Sequence, residues 1–215
     1  MSDEDPYAYP GTDVLKNNFG LRDAQQLDRI EQAITRLRIR ESIFPPPPLT
    51  PDGYAQIHRH IFQDVYPWAG QYRTCELRKD LWFEQSHKIE PRMNEQFATL
   101  KEENFFQGLS RDEFTKKAAV HACELNDIHP FREGNGRTNR LFLEHLAEQA
   151  GHELRCDLIE PKSWIEASKR GFHRNDYSLM AEVLEDALQE PRFDYETRLR
   201  SSAHLDRGED NDRER

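Results

Sequence analysis

Cysteine is scarce in this 215-residue chain, glycine is thin, and no long apolar run occurs anywhere. The three cysteines, Cys75, Cys123 and Cys156, are odd in number, far apart and outside any C-x-x-C pattern. That argues against a disulfide framework or a zinc knuckle and for a reducing compartment. No stretch approaches the roughly 20 apolar residues of a membrane span. The opening MSDEDPYAYPG has neither the basic n-region nor the apolar h-region of a secretion signal. Positive charge is also in deficit: 30 Lys and Arg stand against 40 Asp and Glu, a formal net charge of −10 at pH 7. Sequence-blind attachment to DNA, RNA or an anionic membrane rewards clustered cations, so neither nucleic acid nor membrane is an expected partner. Internal repeats are missing as well. The expectation is a cytoplasmic protein that grips its ligands locally.

With 36% hydrophobic and 33% charged residues, the chain is long enough to bury one substantial core. Ala24, Leu27, Ile30, Ala33, Ile34 and Leu37, at three- and four-residue spacing, predict a helix from Asp23 to Arg40 with one apolar face. An extended arm that packs through Tyr7 and Tyr9 precedes it. The run Pro45 to Pro48 reads as a polyproline connector. Thr50, Pro51 and Asp52 open a second helix to about Val65, and Gly70 closes that region. From Gln71 to Phe83 the residues alternate, with Lys79 and Asp80 at the turn, which predicts a short β-hairpin flap. A helix with Pro91 in its first turn and Met93, Phe97 and Leu100 on one face follows. Ser110 and Glu113 have capping-box spacing and open a helix that ends before His129. Another helix runs from near Gly136 to Ala150 with Gly151 as its C′ residue, and two more lie around Trp164 and from Tyr177 to Leu188. The expected fold class is therefore all-α, a helical bundle around a helix-loop-helix active site with a short β-hairpin flap. The expected organisation is an arm, helix and proline connector over 1–50, the main domain over 51–190 and a charged, flexible tail over 191–215.

The chemistry concentrates in residues 129–140, HPFREGNGRTNR. Only ten glycines occur in the chain, yet Gly134 and Gly136 flank Asn135 directly before a helix start. A helix N-terminus offers unpaired N–H groups and partial positive charge, and glycine lets an anion approach the backbone. The spacing is neither a P-loop nor a dinucleotide fingerprint. Arg137 and Arg140 lie three apart, about 60° in projection on a helix, so both can reach one ligand, and two guanidiniums facing one cradle suggest a polyphosphate. Glu133 would be repelled by phosphate unless a bridging Mg²⁺ intervened. His129 can take a proton from an incoming hydroxyl. Together these residues describe transfer from a nucleoside triphosphate to a hydroxyl. His58, His60 and His121 invite a zinc site with His129, but His58 and His60 are two apart on a helix and do not share a face. Phe62, Tyr66 and Trp68 read as core rather than as a base-stacking box.

The twelve residues resemble the signature of the Fic family, H-P-F-x-[DE]-G-N-G-R-x-x-R, with every constrained position filled. The run HRHIFQDVYPWAGQYRT from His58 to Thr74 is similar to the helix and flap of Fic domains, and the opening DPYAYPGTDVLKNNFG resembles bacterial Fic toxins of the antitoxin-controlled class. The resemblance implies that His129 is the base, that Phe131 anchors the loop and that Glu133 holds Mg²⁺. It implies that Gly134, Asn135 and Gly136 form the anion hole and that Arg137 and Arg140 bind the distal phosphates of ATP. The implied reaction is transfer of AMP to a protein Ser, Thr or Tyr, releasing pyrophosphate. The flap, Arg73, Thr74, Cys75, Glu76 and Leu77, would align the target by strand addition; it lacks the glycine common at the tip in relatives.

Fic domains of this kind are commonly held off by a Glu in the pattern [ST]-x-x-x-E-[GN] that pairs with the second motif arginine, here Arg140. TLKEEN (99–104) matches, but it lies between flap and motif, where that helix is not expected; SLMAEV (178–183) has Val at the last place. The implied brake is a small separate antitoxin supplying a Glu to Arg140. The implied targets are the B subunits of DNA gyrase and topoisomerase IV. A different donor or a phosphoryl transfer is the alternative within the fold, although Gly136 stands where phosphoryl-transferring relatives carry lysine. A catalytically silent partner-binding module is the alternative outside enzymes.

Overall fold

The computed structural model describes residues 5–41, 43–78 and 82–189. The expected tail over 191–215 and the Lys79-Asp80 turn lie outside them. Among the described residues there are seven α-helices: α1 (Ala24–Arg40), α2 (Pro51–Phe62), α3 (Ile89–Glu102), α4 (Arg111–Ile128), α5 (Asn135–Ala150), α6 (Pro161–Arg174) and α7 (Ser178–Ala187), with three short 3₁₀ turns between them. The starts are chemically specified. The Asp23 carboxylate accepts from the Gln26 N–H, the Thr50 hydroxyl from Gly53, and Ser110 and Glu113 cap each other's backbone reciprocally.

Helix α4 is the axis of the bundle, with α3, α5, α6 and α7 all packed on it. Its wide buried arc includes Phe114, Ala118, Ala119, Ala122, Cys123 and Leu125. The small alanines let neighbouring helices approach closely, and each larger side chain removed from water contributes about 1.5–3 kcal/mol. Helix α2 packs on α5, and α1 packs on α2. The proline connector lies against the bundle: His145 Nε2 is 2.6 Å from the Pro47 carbonyl, and a Cβ on Gly53 would sit 1.8 Å from the Pro48 carbonyl oxygen. The arm also packs, with Tyr7 edge-on to Trp68 at 5.5 Å and Asn18 N–H donating to Val65 O at 2.9 Å.

The hairpin expected over Gln71 to Phe83 takes a looser form. Its limbs meet through one antiparallel bridge, Arg78 with Trp82, and through Phe83 N–H to Leu77 O at 3.1 Å. Nearer the base no ladder forms, because the Arg73 guanidinium sits between the limbs and takes the carbonyls of both Cys75 and Glu84.

Two of the histidines considered for a metal site are buried structural groups instead. His58 is stacked on Phe131 at 3.8 Å, accepts from Gly70 N–H at Nδ1 and bonds Glu133 O through Nε2. His121 lies among Phe97, Phe106 and Phe142, and its Nε2 has no partner among the described residues. Burial lowers His58 from 6.5 to about 3 and His121 from 6.5 to about 4. Below about pH 6.5 the unfolded chain takes up protons that these folded imidazoles refuse, so stability falls on acidification toward those lower values. Replacing His121 by Leu removes one such group and its unpaired nitrogen. His121→Leu is expected to raise Tm by about 2–4 °C at pH 5 and by less at pH 8, as read by circular dichroism melts; a gain that is the same at both pH values would contradict the assignment.

Candidate functional site

Helices α4 and α5 are joined by residues 129–134 and pack against each other, with Asn139 Nδ2 donating to Ala122 O at 2.8 Å, so the carbonyl end of one lies beside the amide end of the other. His129 terminates α4 in the left-handed conformation, φ 49° and ψ 60°, which costs a non-glycine residue about 1–2 kcal/mol. Several contacts over-determine it. Its N–H donates to Leu125 O, Nδ1 lies 3.0 Å from the Asn126 carbonyl, and the ring stacks on Phe83 at 3.8 Å. A carbonyl can only accept, so Nδ1 carries a proton, and in the neutral ring the lone pair is on Nε2.

The main chain of the loop is held by Arg73. This side chain is buried, and its guanidinium donates to the carbonyls of His129 (2.8 Å), Cys75 (2.7 Å), Ile128 (3.2 Å) and Glu84. Its own N–H goes to Pro130 O at 2.8 Å. Arg73 therefore corrects the expectation of a target-facing flap residue: its side chain points inward and clamps both flap limbs to the end of α4. Cys75 and Leu77 likewise turn their carbonyls into the protein, toward Arg73 and Phe83, leaving Thr74 and Glu76 as the outward residues of that limb.

Asn135 ties the loop shut: its Oδ1 accepts from Phe131 N–H at 2.9 Å and its Nδ2 donates to Phe131 O at 2.8 Å. Phe131 is fully buried. Gly134 is required twice over, by a φ of +84° and because a Cβ there would lie 2.2 Å from the Phe62 ring. With Gly134 as N-cap and no side-chain cap, the N–H groups of Asn135, Gly136 and Arg137 have no main-chain partner among the described residues. They form an anion cradle at the helix start. A Cβ on Gly136 would fit, 3.7 Å from the Trp164 Nε1 and 3.8 Å from an Arg140 nitrogen, so glycine there keeps the cradle mouth open rather than serving the fold.

The two arginines are not equivalent. Arg137 is paired with Glu31 of α1 at 2.6 Å, bonded to Thr35 at 3.2 Å, 3.5 Å from Glu133 and 4.7 Å over the Phe62 ring. Glu31 is itself buried and accepts from the Tyr66 hydroxyl. Arg140 lies 5.4 Å from the Trp164 ring and has no ion pair or hydrogen bond among the described residues; burial pulls its pKa down. A half-buried guanidinium without an anion is a site waiting for one. Glu133 is about half exposed at the loop edge; one oxygen accepts from Gly134 N–H at 2.8 Å. A single carboxylate beside a phosphate cradle suits Mg²⁺, which takes one or two carboxylates and completes its shell with phosphate and water.

Arg140 opens onto a groove of about 790 Å³ whose rim includes Arg36, Arg40, Arg137 and Arg155. A smaller cavity of about 140 Å³ lies on the other side of the loop, between His129, Gly136, Phe83, Trp164, Ser168 and Phe172. The two carboxylate strings weighed as brakes go elsewhere: Glu103 pairs with Lys117, and Glu182 faces the α4–α7 groove. Sequence reasoning missed Glu31, Thr35 and Tyr66. The signal was present in α1, where Leu27, Glu31 and Thr35 form the buried stripe, two polar residues on an otherwise apolar face.

Replacing Arg73 by Met would strand four carbonyls, two of them at the end of α4. Arg73→Met is expected to lower stability by on the order of 3 kcal/mol in urea unfolding; a loss within about 0.5 kcal/mol, the range of an ordinary surface change, would contradict the clamp.

The Fic/DOC family profile matches residues 48–147. A Sinorhizobium fredii protein named "probable protein adenylyltransferase" is 42% identical over 188 residues, covering 84% of this chain and 94% of that one. An Escherichia coli protein of the same description is 35% identical, covering 78% and 84%. Among solved structures, the Fic domain of a Bartonella quintana effector with bound ADP superimposes with a TM-score of 0.80 at 27% identity, covering 86% and 95%. The BepC effector of Bartonella tribocorum, solved with AMPPNP, gives 0.78 at 27%, covering 85% and 96%. These likenesses extend well beyond the twelve-residue loop, and the chain belongs to the Fic/DOC family, as an enzyme of the nucleotidyltransferase class for which its relatives are named.

Proposed function

We propose that the chain transfers AMP from ATP to a hydroxyl side chain of a target protein. The observation that carries this reading is the opposition of a histidine Nε2 lone pair and an open anion cradle across one six-residue loop. In the proposed reaction the target hydroxyl oxygen attacks the α-phosphorus, its proton passes to His129 Nε2, and the bond to the β-phosphate oxygen breaks to release pyrophosphate. The Nδ1–H bond to Asn126 keeps Nε2 as the accepting nitrogen and stabilises the imidazolium. The N–H groups of Asn135, Gly136 and Arg137 hold phosphate oxygens, and Arg140 neutralises the distal phosphates. Mg²⁺, held through Glu133, would supply charge screening between that carboxylate and the phosphates. The adenine is placed in the cavity beside Trp164 and Phe172, whose rings offer stacking faces. Thr74 and Glu76 of the flap are the edge to which a target segment adds as a strand.

The same reading makes the chain the toxin of a toxin–antitoxin pair in the cytoplasm. Its support is that Arg140 has no carboxylate partner among the described residues while the adjoining groove is rimmed by further arginines. A small antitoxin placing a Glu on Arg140 would compete with the distal phosphates there. The proposed targets, the B subunits of DNA gyrase and topoisomerase IV, rest on the resemblance of the opening residues to toxins of that class.

The test is to incubate the protein and its His129→Ala variant with Mg²⁺ and ATP labelled at the α- or γ-phosphorus, using purified gyrase B subunit and bacterial lysate as acceptors. Protein label from the α-position alone, lost in the variant, is the expected result. Label from the γ-position would mean phosphoryl transfer, and a pattern indifferent to His129 would remove the base from the mechanism. Label in lysate but not on the gyrase subunit would leave the reaction and discard the target.

A further inference from the structure

The N-terminal arm reaches the flap through the Tyr7 hydroxyl. The Tyr7 hydroxyl oxygen accepts the Thr74 N–H at 3.0 Å and lies 3.4 Å from Thr74 Oγ1. Tyr7 is held there on every side. Its ring lies against Trp68, its N–H donates to Asp5 Oδ1 at 2.9 Å, its carbonyl accepts from Lys16 N–H at 2.8 Å, and the Asp5 carboxylate pairs with Arg132 of the active-site loop. Along the flap the main-chain groups divide between inside and outside. Arg73 N–H, Cys75 O and Leu77 O bond within the protein, to Pro130, Arg73 and Phe83. Glu76 N–H and C=O have no partner among the described residues. Thr74 would present a further outward donor of this limb, but Tyr7 has taken it.

We infer that Tyr7 determines target specificity by acting as a register stop. The inference rests on the reading of the flap as an edge for strand addition. A β-strand presents the same face and the same bonding groups every second residue, so a target segment could pair in one position or displaced by two residues, about 7 Å along the flap. The displaced pairing would need the Thr74 N–H. With that donor capped by the Tyr7 hydroxyl, the added strand pairs from Glu76 onward, and the register displaced toward Thr74 is closed. The arm thus chooses which residue of an accepted segment is modified, while the cradle chooses the donor.

Tyr7→Phe keeps the ring against Trp68 and removes only the acceptor. The adenylylated residue of the most strongly labelled lysate protein is first mapped by mass spectrometry. Versions of that protein are then made with the hydroxyl residue replaced by Ala and a Ser introduced two positions to either side. Tyr7→Phe is expected to label one displaced Ser about tenfold faster than the wild type does, the size of one main-chain hydrogen bond. Equal rates for the two enzymes on both displaced acceptors would overturn the inference. Absence of any label from the wild-type enzyme would instead defeat the transferase reading, and the inference with it. A second measurement needs no variant: in the wild-type protein the Thr74 amide is expected to exchange its hydrogen at least tenfold more slowly than that of Glu76, and equal exchange would contradict the cap.

Discussion

One buried cation holds the His129 loop in place. The Arg73 guanidinium sits in a cage of four main-chain carbonyls with no carboxylate in it. Two of those carbonyls, Ile128 and His129, belong to the end of α4, where the helix leaves partial negative charge unmet. The other two belong to the opposite limbs of the flap. A lysine has one ammonium and could not span four acceptors set around a plane, whereas the guanidinium fork can. The left-handed backbone at His129 persists because this clamp, the Asn126 carbonyl and the Phe83 ring all require the same geometry. Flap and His129 are therefore fixed relative to each other chiefly by Arg73, with the Phe83 ring and the Glu84 N–H bond to Asp127 O in support.

The second theme is unequal charge. The protein carries ten more acidic than basic residues, yet the groove beside Arg140 concentrates arginines. Glu31, itself bonded by Tyr66, neutralises Arg137 and makes it part of the brace between α1 and the loop. Arg140 is left as the motif guanidinium with no ion pair or hydrogen bond among the described residues, although Glu144 on the same helix is close enough to act on it electrostatically. A desolvated cation is a stronger anion trap than one already paired. In the proposed reaction the triphosphate is accordingly held by the cradle N–H groups and Arg140, while Arg137 braces the loop against α1.

The helices were legible because their causes are local: Asp23, Thr50 and Ser110 cap within three residues, and the apolar stripes repeat at helical spacing. The loop was legible because Gly134, Asn135 and Gly136 before a helix have few physical uses. What the sequence did not disclose is everything assembled across long separations. Glu31 meets Arg137 across 106 positions, and Tyr7 meets Thr74 across 67. The inward turn of Arg73 is not legible in the sequence, since alternation marks an extended segment but does not say that a charged side chain within it turns inward. The ladder expected there is interrupted for the same reason, because Cys75 and Glu84 give their carbonyls to the clamp.

The division of labour between the two motif arginines tests the whole account most directly. Arg137→Met and Arg140→Met should be compared side by side for ATP affinity by calorimetry, in the presence of Mg²⁺, and for Tm. The account predicts that Arg140→Met loses the greater part of the affinity with little change in Tm, and that Arg137→Met, which strands the buried Glu31, loses stability first. Equal losses of affinity with unchanged Tm in both would contradict it, because Arg137 would then be a phosphate ligand and not a brace.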